Sequence, residues 1–223
     1  MIKQFNKMFV MVFMIIFLHA CSNYQIISPT YTKAFNEVYG LFESRKEIVT
    51  AEQVANIPYA SMLVSFGSKS SSLLILESVY DNNRLWVSAD NKLFFQRDNG
   101  KFYRTIGLPN NLYSIDVPDI NYTEMIEQEE FNYLGYYSFR GPTLNNLKVN
   151  ISAKNKGKTM VNVFGREKEL ILIEETLSSS SINWKAINKY WIDPEEGYVW
   201  KSIQNLSPKL PPLFIEVTKK PSS

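Results

Sequence analysis

The sequence has 223 residues, with 24 basic and 22 acidic side chains, one histidine and one cysteine. A net charge of +2 is not the clear basic excess that nucleic-acid binding requires. A lone cysteine cannot form an internal disulfide. The chain also has no glycine-rich phosphate loop, no Cys or His pair with metal-ligand spacing and no repeat of solenoid length. We therefore predict no cofactor, no metal site and no nucleic-acid partner.

The amino terminus has the order of a secretory signal peptide. Lys3 and Lys7 make the first residues basic, and an unbroken apolar run of 11 residues, Met8 to Leu18, follows. This run is shorter than the roughly 20 apolar residues that a membrane-spanning helix needs. A buried core helix is the alternative for a short apolar run, but such a helix would not lie beside two lysines at the extreme N-terminus. Residues 1–20 are therefore predicted to be a signal peptide.

The only cysteine, Cys21, follows this segment directly. The tetrapeptide Leu18-His19-Ala20-Cys21 resembles the lipobox of bacterial lipoproteins, except that His19 stands where a small residue is usual. The resemblance implies cleavage before Cys21 and acylation of its thiol and its new amino group, with palmitate among the acyl chains. The alternative is a buried or reactive free thiol. Because stable anchoring takes at least two acyl chains, three would hold the protein to a membrane.

The residue after the cysteine carries the sorting signal in such lipoproteins. Here it is Ser22 and not Asp, which by the same resemblance implies the outer membrane of a Gram-negative cell. The expected location is a lipid anchor in that membrane, with the protein on its periplasmic face. Residues 21–29 have no hydrophobic period and are predicted to be the lipidated tether.

Residues 30–223 are predicted to form a single, mainly β domain. Removal of residues 1–20 takes away two lysines and no acid, which leaves 22 basic and 22 acidic side chains. It also removes His19, the only histidine. A Ser-His-Asp triad and a His-ligated metal are therefore excluded, and lipidation of Cys21 would exclude thiol catalysis.

Two helices are predicted at the start of this domain. Apolar residues at i, i+3, i+4 and i+7 indicate an amphipathic helix over residues 30–45 that packs on the core; they are Phe35, Val38, Tyr39 and Phe42. Thr50 and Gln53 fit a capping box, which predicts a short helix over residues 51–56.

Strand signals dominate from Tyr59 onward, as short apolar runs separated by turn residues. Asn99-Gly100 is the strongest of the turn signals. The predicted strands are 60–66, 73–80, 85–88, 93–96, 102–106, 131–140, 147–152, 159–164, 170–177, 182–191, 198–205 and 213–217, with turns at 155–157, 165–166 and 193–197 among others. Residues 109–130 are predicted to contain a loop or a short helix.

These strands define the predicted fold class, a mainly β protein. An antiparallel meander of about a dozen strands is too long for a flat open sheet, so a curved sheet, a barrel or a sandwich is expected, with one or two N-terminal helices. Because Pro211 and Pro212 precede the last strand and proline cannot donate to a ladder, that strand is predicted to lie at a sheet edge.

Several segments resemble the GfcB/YjbF family of outer-membrane lipoproteins of capsule and exopolysaccharide operons. The segments are Ile57-Pro58-Tyr59-Ala60, Leu85-Trp86-Val87-Ser88-Ala89-Asp90, Arg104-Thr105-Ile106-Gly107-Leu108, Tyr190-Trp191-Ile192-Asp193-Pro194 and Gly197-Tyr198-Val199-Trp200-Lys201-Ser202. The resemblance extends from Phe35 to Pro221. It implies a mainly antiparallel β fold, an outer-membrane lipoprotein made alongside a polysaccharide export system, and no known catalytic residues.

The predicted function is therefore non-enzymatic support of capsule or exopolysaccharide assembly or export. The expected partners are the membrane, envelope proteins of the export system and the polysaccharide. One alternative is an envelope binding module for a saccharide or an apolar ligand. The other is a carboxylate-based polysaccharide-active enzyme using Asp116, Asp119 and Glu124, whose separation decides whether such chemistry is available.

Three residues are candidates for ligand contact. Trp86 and Trp200 lie on strand patterns, where core packing is the main interpretation, although a flat aromatic face also suits sugar stacking. Arg104 is predicted to pair with a buried acid such as Asp116, with contact to an anionic sugar as the alternative.

Overall fold

A computed structural model defines the protein at Glu52, Val54 and residues 56–67, 71–81, 83–118 and 122–222, apart from the side chains of residues 123 and 124. The predicted signal peptide, the tether, Cys21 and the helix over residues 30–45 lie outside these described residues. Of the predicted helix over residues 51–56, Glu52, Val54 and Asn56 are described; the first two are helical and Asn56 is in a turn.

The described residues form twelve strands and one short α-helix. The strands are β1 (Ser61–Phe66), β2 (Ser72–Tyr80), β3 (Asn83–Ser88), β4 (Leu93–Gln96), β5 (Phe102–Ile106), β6 (Asn111–Asp116), β7 (Glu130–Arg140), β8 (Leu144–Val163), β9 (Arg166–Ser179), β10 (Trp184–Ile192), β11 (Val199–Gln204) and β12 (Leu213–Lys219), with helix α1 (Tyr122–Glu127) before β7 and a 3₁₀ turn, Ser180–Ile182, after β9.

The strands belong to one antiparallel sheet with the order β5-β4-β3-β2-β1-β12-β11-β10-β9-β8-β7-β6. Strands β5 and β6 end this order but are consecutive in the chain, and the backbone N–H of Leu112 on β6 donates to Thr105 Oγ1 on β5 at 3.0 Å. The sheet therefore curls until its two edges meet and is nearly closed as a barrel, as the predicted fold class allows.

Because consecutive strands run up and down, their connections alternate between two ends. We call one end the mouth; its connections are residues 67–71, 89–92, 107–110, 141–143, 180–183 and 205–212. We call the other end the base; its connections are residues 81–82, 97–101, 117–129, 164–165 and 193–198. The chain enters β1 and leaves β12 at the base.

Alternating apolar residues fill the interior. In β12, for example, Leu213 and Ile215 are buried while Phe214 between them is exposed, which is the period of a strand with one face in the core. The largest fully buried side chains include Trp86, Phe94, Phe102, Tyr137 and Tyr190. At the base, Tyr122 and Met125 of α1 are three residues apart and pack into this core against Tyr190 and its neighbours.

Strands β8 and β9 form a hairpin that extends beyond both of its neighbours. The pairing of β7 with β8 reaches Lys154, and that of β9 with β10 reaches Ile171. The tip beyond these points contacts β11 and β12: Phe164 N–H donates to Glu216 Oε1 at 3.0 Å, and Lys201 Nζ donates to the Asn162 carbonyl at 3.1 Å. These hydrogen bonds therefore hold the tip against β11 and β12.

Two sequence predictions about this hairpin were wrong. The predicted turn at residues 155–157 is a bulge within the continuous strand β8, where Asn155 Oδ1 accepts the Gly157 N–H at 2.8 Å. Gly157 has a φ of +85°, so the turn-type residues bend the strand but do not reverse it. The reversal occurs at Phe164 and Gly165, one residue before the predicted turn.

Two further predictions were corrected by the tertiary structure. Strand β12 lies between β1 and β11 and is not an edge strand. Pro211 and Pro212 precede its first residue, so every residue of the strand retains an N–H for the ladder. Residues 109–130 contain the predicted short helix as α1, but they also contain the edge strand β6, which the sequence analysis did not find.

Candidate functional site

A polar cluster lies inside the barrel near the base. Lys101 Nζ is 2.8 Å from Glu175 Oε1, and both side chains are almost fully buried. Tyr133 donates from its hydroxyl to the same carboxylate oxygen at 2.6 Å and accepts from Lys101 Nζ at 2.9 Å. Asn188 Nδ2 approaches the other carboxylate oxygen at 3.4 Å. Each buried charge thus has a partner of opposite charge. Such a partner is needed because it offsets the cost of removing the charge from water.

The tyrosines around this cluster are held in the neutral form. Burial, followed by the nearby Glu175 carboxylate, raises the pKa of Tyr133 far above its ordinary value. Burial likewise raises the pKa of Tyr190, again with Glu175 as the next cause. The cluster is enclosed by protein, so its geometry supports a structural role. Lys101 and Glu175 are 74 residues apart, so no local pattern in the sequence indicates this cluster.

A second buried network contains the candidate residue Trp86, which is fully buried. Its Nε1–H donates to Gln96 Oε1 at 2.9 Å, and Gln96 and Gln204 both donate to the Gly100 carbonyl, at 3.0 and 2.9 Å. The ring packs in the main core cluster. This position matches the packing interpretation of Trp86, since no part of its ring is exposed.

A large pocket opens at the mouth. It has a volume of about 570 Å³, within the roughly 300–1,000 Å³ that is usual for small-molecule sites. Its walls are mostly apolar, from β1, β2, β4 and the connections at 107–110 and 205–212; they include Val64, Leu74, Phe94, Leu108 and Leu210. We call this the mouth pocket.

The polar rim of the mouth pocket is formed by the β3–β4 turn. Ser88 Oγ donates to Asp90 Oδ1 at 2.5 Å, and Lys92 forms an ion pair with the same carboxylate. Burial alone would raise the pKa of Asp90, but the hydrogen bonds from Lys92 and Ser88 outweigh it and hold that pKa below its ordinary value. The three groups satisfy each other, so the pocket presents mainly apolar surface.

The candidate residue Arg104 is exposed on the outer face of β5. Its guanidinium carbon lies 5.4 Å from the ring centre of Phe95 and 5.6 Å from that of Tyr113. The predicted pairing of Arg104 with a buried Asp116 was wrong, because Asp116 is exposed and no ion pair joins the two among the described residues. The aromatic neighbours replace the expected acid.

The candidate residue Trp200 packs with the tip of the β8–β9 hairpin. It belongs to a buried cluster with Val163, Leu170 and Val217, and Lys168 Nζ lies 4.1 Å from its ring centre. Its Nε1–H donates to Asp193 Oδ2 at 3.3 Å. Only 8% of Trp200 is exposed, so its position also matches the packing interpretation.

The acidic residues considered for catalysis are only partly described. Asp116 ends β6 on the exposed surface, Asp119 lies outside the described residues, and so does the side chain of Glu124. Within the described part of the chain, no group of three or more His, Cys, Asp or Glu residues could hold a metal ion. Among the same residues, no helix is both long enough and apolar enough to cross a membrane.

The fold and the site together define a nearly closed, twelve-stranded antiparallel β protein with a filled interior and an apolar pocket at its mouth. Residues 33–218 match the family described as "Group 4 capsule polysaccharide lipoprotein gfcB, YjbF". The chain belongs to this family, which confirms the resemblance found in the sequence.

Two relatives from Escherichia coli (strain K12) have similar sequences. "Uncharacterized lipoprotein GfcB" is 23% identical over 192 residues, which cover 80% of this chain and 85% of the relative. "Uncharacterized lipoprotein YjbF" is 22% identical over 200 residues, which cover 83% of this chain and 88% of the relative. Both relatives are named as lipoproteins.

A solved structure with the same fold is similar to this chain. The crystal structure of the hypothetical lipoprotein YmcC from Escherichia coli (K12) superposes with a TM-score of 0.63 at 19% sequence identity, and covers 82% of this chain and 94% of that protein. At this identity the likeness supports the fold alone.

Proposed function

We propose that the protein is a non-enzymatic outer-membrane lipoprotein that supports the assembly or export of a capsule or exopolysaccharide. The observation that carries this proposal is the family match over residues 33–218, whose description combines a lipoprotein with a capsule polysaccharide. The absence of histidine from the sequence after residue 20 supports the non-enzymatic part of the proposal, because the commonest general base is missing.

The proposed anchor is Cys21, acylated after cleavage behind Ala20. Its support is the lipobox-like sequence and the lipoprotein names of the two relatives. The proposed location is the periplasmic face of the outer membrane, for which the support is Ser22 at the sorting position. From there the protein would work with envelope proteins of the export system, and directly or indirectly with the polymer.

Deletion of the gene in a strain that is making surface polysaccharide tests this function. The expected result is a clear fall in surface polysaccharide, measured by chemical assay of the washed cell surface, with recovery when the wild-type gene is restored. Unchanged polysaccharide under those conditions would count against the proposal.

Two complementing variants test the anchor separately from the body of the protein. Cys21→Ser is expected to prevent incorporation of labelled palmitate and to fail in complementation. Ser22→Asp keeps the cysteine and is expected to retain the label but move the protein to the inner-membrane fraction. Palmitate labelling of Cys21→Ser equal to that of the wild type would contradict the proposed anchor.

The mouth pocket favours a second candidate function, the binding of an apolar ligand. Its largely apolar walls and its volume of about 570 Å³ are the supporting observations. With a fluorescent fatty acid as the probe, Leu210→Arg is expected to weaken binding about tenfold by placing a charge in the pocket. Phe214→Arg, at an exposed position on β12, is the matched control. No measurable binding of the probe to the wild type would remove this candidate.

A further inference from the structure

An aromatic and cationic surface covers the outer face of β4 to β7. It consists of Phe95, Arg104, Tyr113 and Arg140, and we call it the arginine–aromatic surface. Phe95 lies opposite Arg104 in the β4–β5 ladder. Arg140 is at the end of β7, opposite Asn111 on β6. The surface therefore crosses the seam where β5 and β6 meet.

Tyr113 is the centre of this surface, and 45% of the residue is exposed. The Arg140 guanidinium carbon lies 4.1 Å from its ring centre, and that of Arg104 lies 5.6 Å away. Arg104 also lies 5.4 Å from the ring centre of Phe95. Two guanidinium groups are thus held against an accessible ring by cation–π attraction.

Neither guanidinium group has an acidic partner within the described residues. All eight ion pairs in this part of the chain use lysine and none uses arginine. Arg140 donates to Asn145 Oδ1 at 2.8 Å and to the Phe139 carbonyl at 3.4 Å. Among the residues that the structure describes, the Arg104 side chain contacts the two aromatic rings and forms no hydrogen bond or ion pair. Donors suited to a carboxylate therefore remain available on an exposed surface.

The chemistry of these groups selects a ligand class. A guanidinium group that lies over a ring can still donate from its edge, and its fork matches the two oxygens of a carboxylate. The Tyr113 ring lies between the two guanidinium groups and holds them in place by cation–π attraction. A sugar polymer that carries carboxylates would bind to the free edges of both groups.

We propose that the arginine–aromatic surface binds an acidic polysaccharide, with carboxylates bound by Arg104 and Arg140 and with the Tyr113 ring holding the two guanidinium groups in position. This inference rests on the proposed role in polysaccharide assembly or export, and it adds the chemical class of the polymer and the surface that binds it. The mouth pocket is a separate site, because none of these four residues lines it.

Binding of defined oligosaccharides to the full mature chain in detergent tests this inference. The probes are alginate oligosaccharides, which are chains of uronic acids, and dextran oligosaccharides of similar length, which are neutral. The wild type is expected to bind alginate, to bind it less tightly as NaCl is raised, and to bind dextran at least about tenfold more weakly. Equal binding of both probes would overturn the acidic class.

Variants assign the binding to this surface. Arg104→Gln combined with Arg140→Gln is expected to weaken alginate binding about tenfold or more, since it removes both charged donors to the carboxylates. Tyr113→Ala is expected to weaken it as well, while Tyr113→Phe retains the ring and should bind normally. A double control, Tyr80→Ala with Lys185→Gln, removes one exposed ring and one exposed cation elsewhere and should leave binding unchanged.

Two outcomes overturn the inference. One is the absence of alginate binding by the wild type, and the other is loss of binding in the control to the same extent as in the arginine variant. Circular dichroism confirms that each variant is folded. If gene deletion abolishes surface polysaccharide but the purified protein binds no acidic oligosaccharide, the proposed function stands and this inference fails.

Discussion

Lys101 and Glu175 show how a single pair of residues can govern the stability of the barrel. Their side chains are 6% and 1% exposed, and Tyr133 hydrogen-bonds to both. Removal of one member leaves the other as a buried charge without its counter-ion. Replacement of both residues by apolar residues of similar volume leaves no buried charge without a counter-ion, and apolar packing can take the place of the ion pair.

We therefore expect Lys101→Met to lower the free energy of unfolding by about 3–5 kcal/mol. The double variant Lys101→Met/Glu175→Leu should recover part of this loss. Lys158→Met is the control, because Lys158 and Glu169 form an exposed pair and should contribute at most about 1 kcal/mol. Urea unfolding of each protein measures the difference; equal effects of Lys101→Met and Lys158→Met would contradict the prediction.

The β8–β9 hairpin shows how an element departs from its local sequence signals. Its reversal uses Phe164 and Gly165, which have φ values of +47° and +78°, as expected for a two-residue hairpin turn of the primed type. Asn or Gly usually occupies the first of these positions, because a bulky residue with positive φ is strained. The contacts of the tip with Glu216 and Thr218 accompany this unusual turn.

We expect Phe164→Asn to raise the free energy of unfolding by about 1 kcal/mol by removing that backbone strain. Gly165→Ala should lower it by about 1 kcal/mol through strain alone, because a Cβ at Gly165 would meet nothing within 4 Å. Urea unfolding measures both changes. A loss of stability in Phe164→Asn would indicate that packing of the Phe164 ring outweighs its backbone strain.

Most element types in the sheet could be predicted locally. Asn99-Gly100 and Asp193 to Gly197 are turns between strands, and Gly141-Pro142 separates β7 from β8, as the sequence indicated. Strand β6 was missed because its two buried residues, Leu112 and Ile115, are three positions apart across a register shift in the β6–β7 pairing, so the segment lacks the period of two that marks a strand. Position in the sheet was also misjudged for β12, since prolines before a strand do not decide which strands pair with it.

At the scale of the whole molecule, buried tyrosines make the stability of the fold depend on pH. Burial raises the pKa of Tyr122, Tyr133, Tyr137 and Tyr190 above the ordinary value of 10.0. Below pH 10 these phenols are protonated in both states, so their full contribution to stability is present. Above it, the unfolded chain releases protons that the folded chain retains, and stability falls as pH rises.

Each such tyrosine lowers the free energy of unfolding by roughly 1.4 kcal/mol per pH unit above pH ~10, so four lower it by roughly 5.6 kcal/mol per pH unit. We expect the protein to unfold cooperatively at alkaline pH, with phenolate absorbance and circular dichroism changing together. Tyr137→Phe should reduce the slope of the free energy of unfolding against pH by the contribution of one tyrosine, roughly 1.4 kcal/mol per pH unit. Phenolate formation by the buried tyrosines while the fold persists would contradict this prediction.

The sequence by itself determined the antiparallel strands and many of their turns, the near neutrality of the chain and the absence of histidine after residue 20. These properties depend on composition or on contacts between near neighbours. Only the tertiary structure decided the pairing of β1 with β12, the ion pair of Lys101 with Glu175 and the position of Tyr113 between Arg104 and Arg140. These contacts join distant parts of the chain, which closure of the sheet brings together. They could not be predicted, because no local pattern records which strands become neighbours.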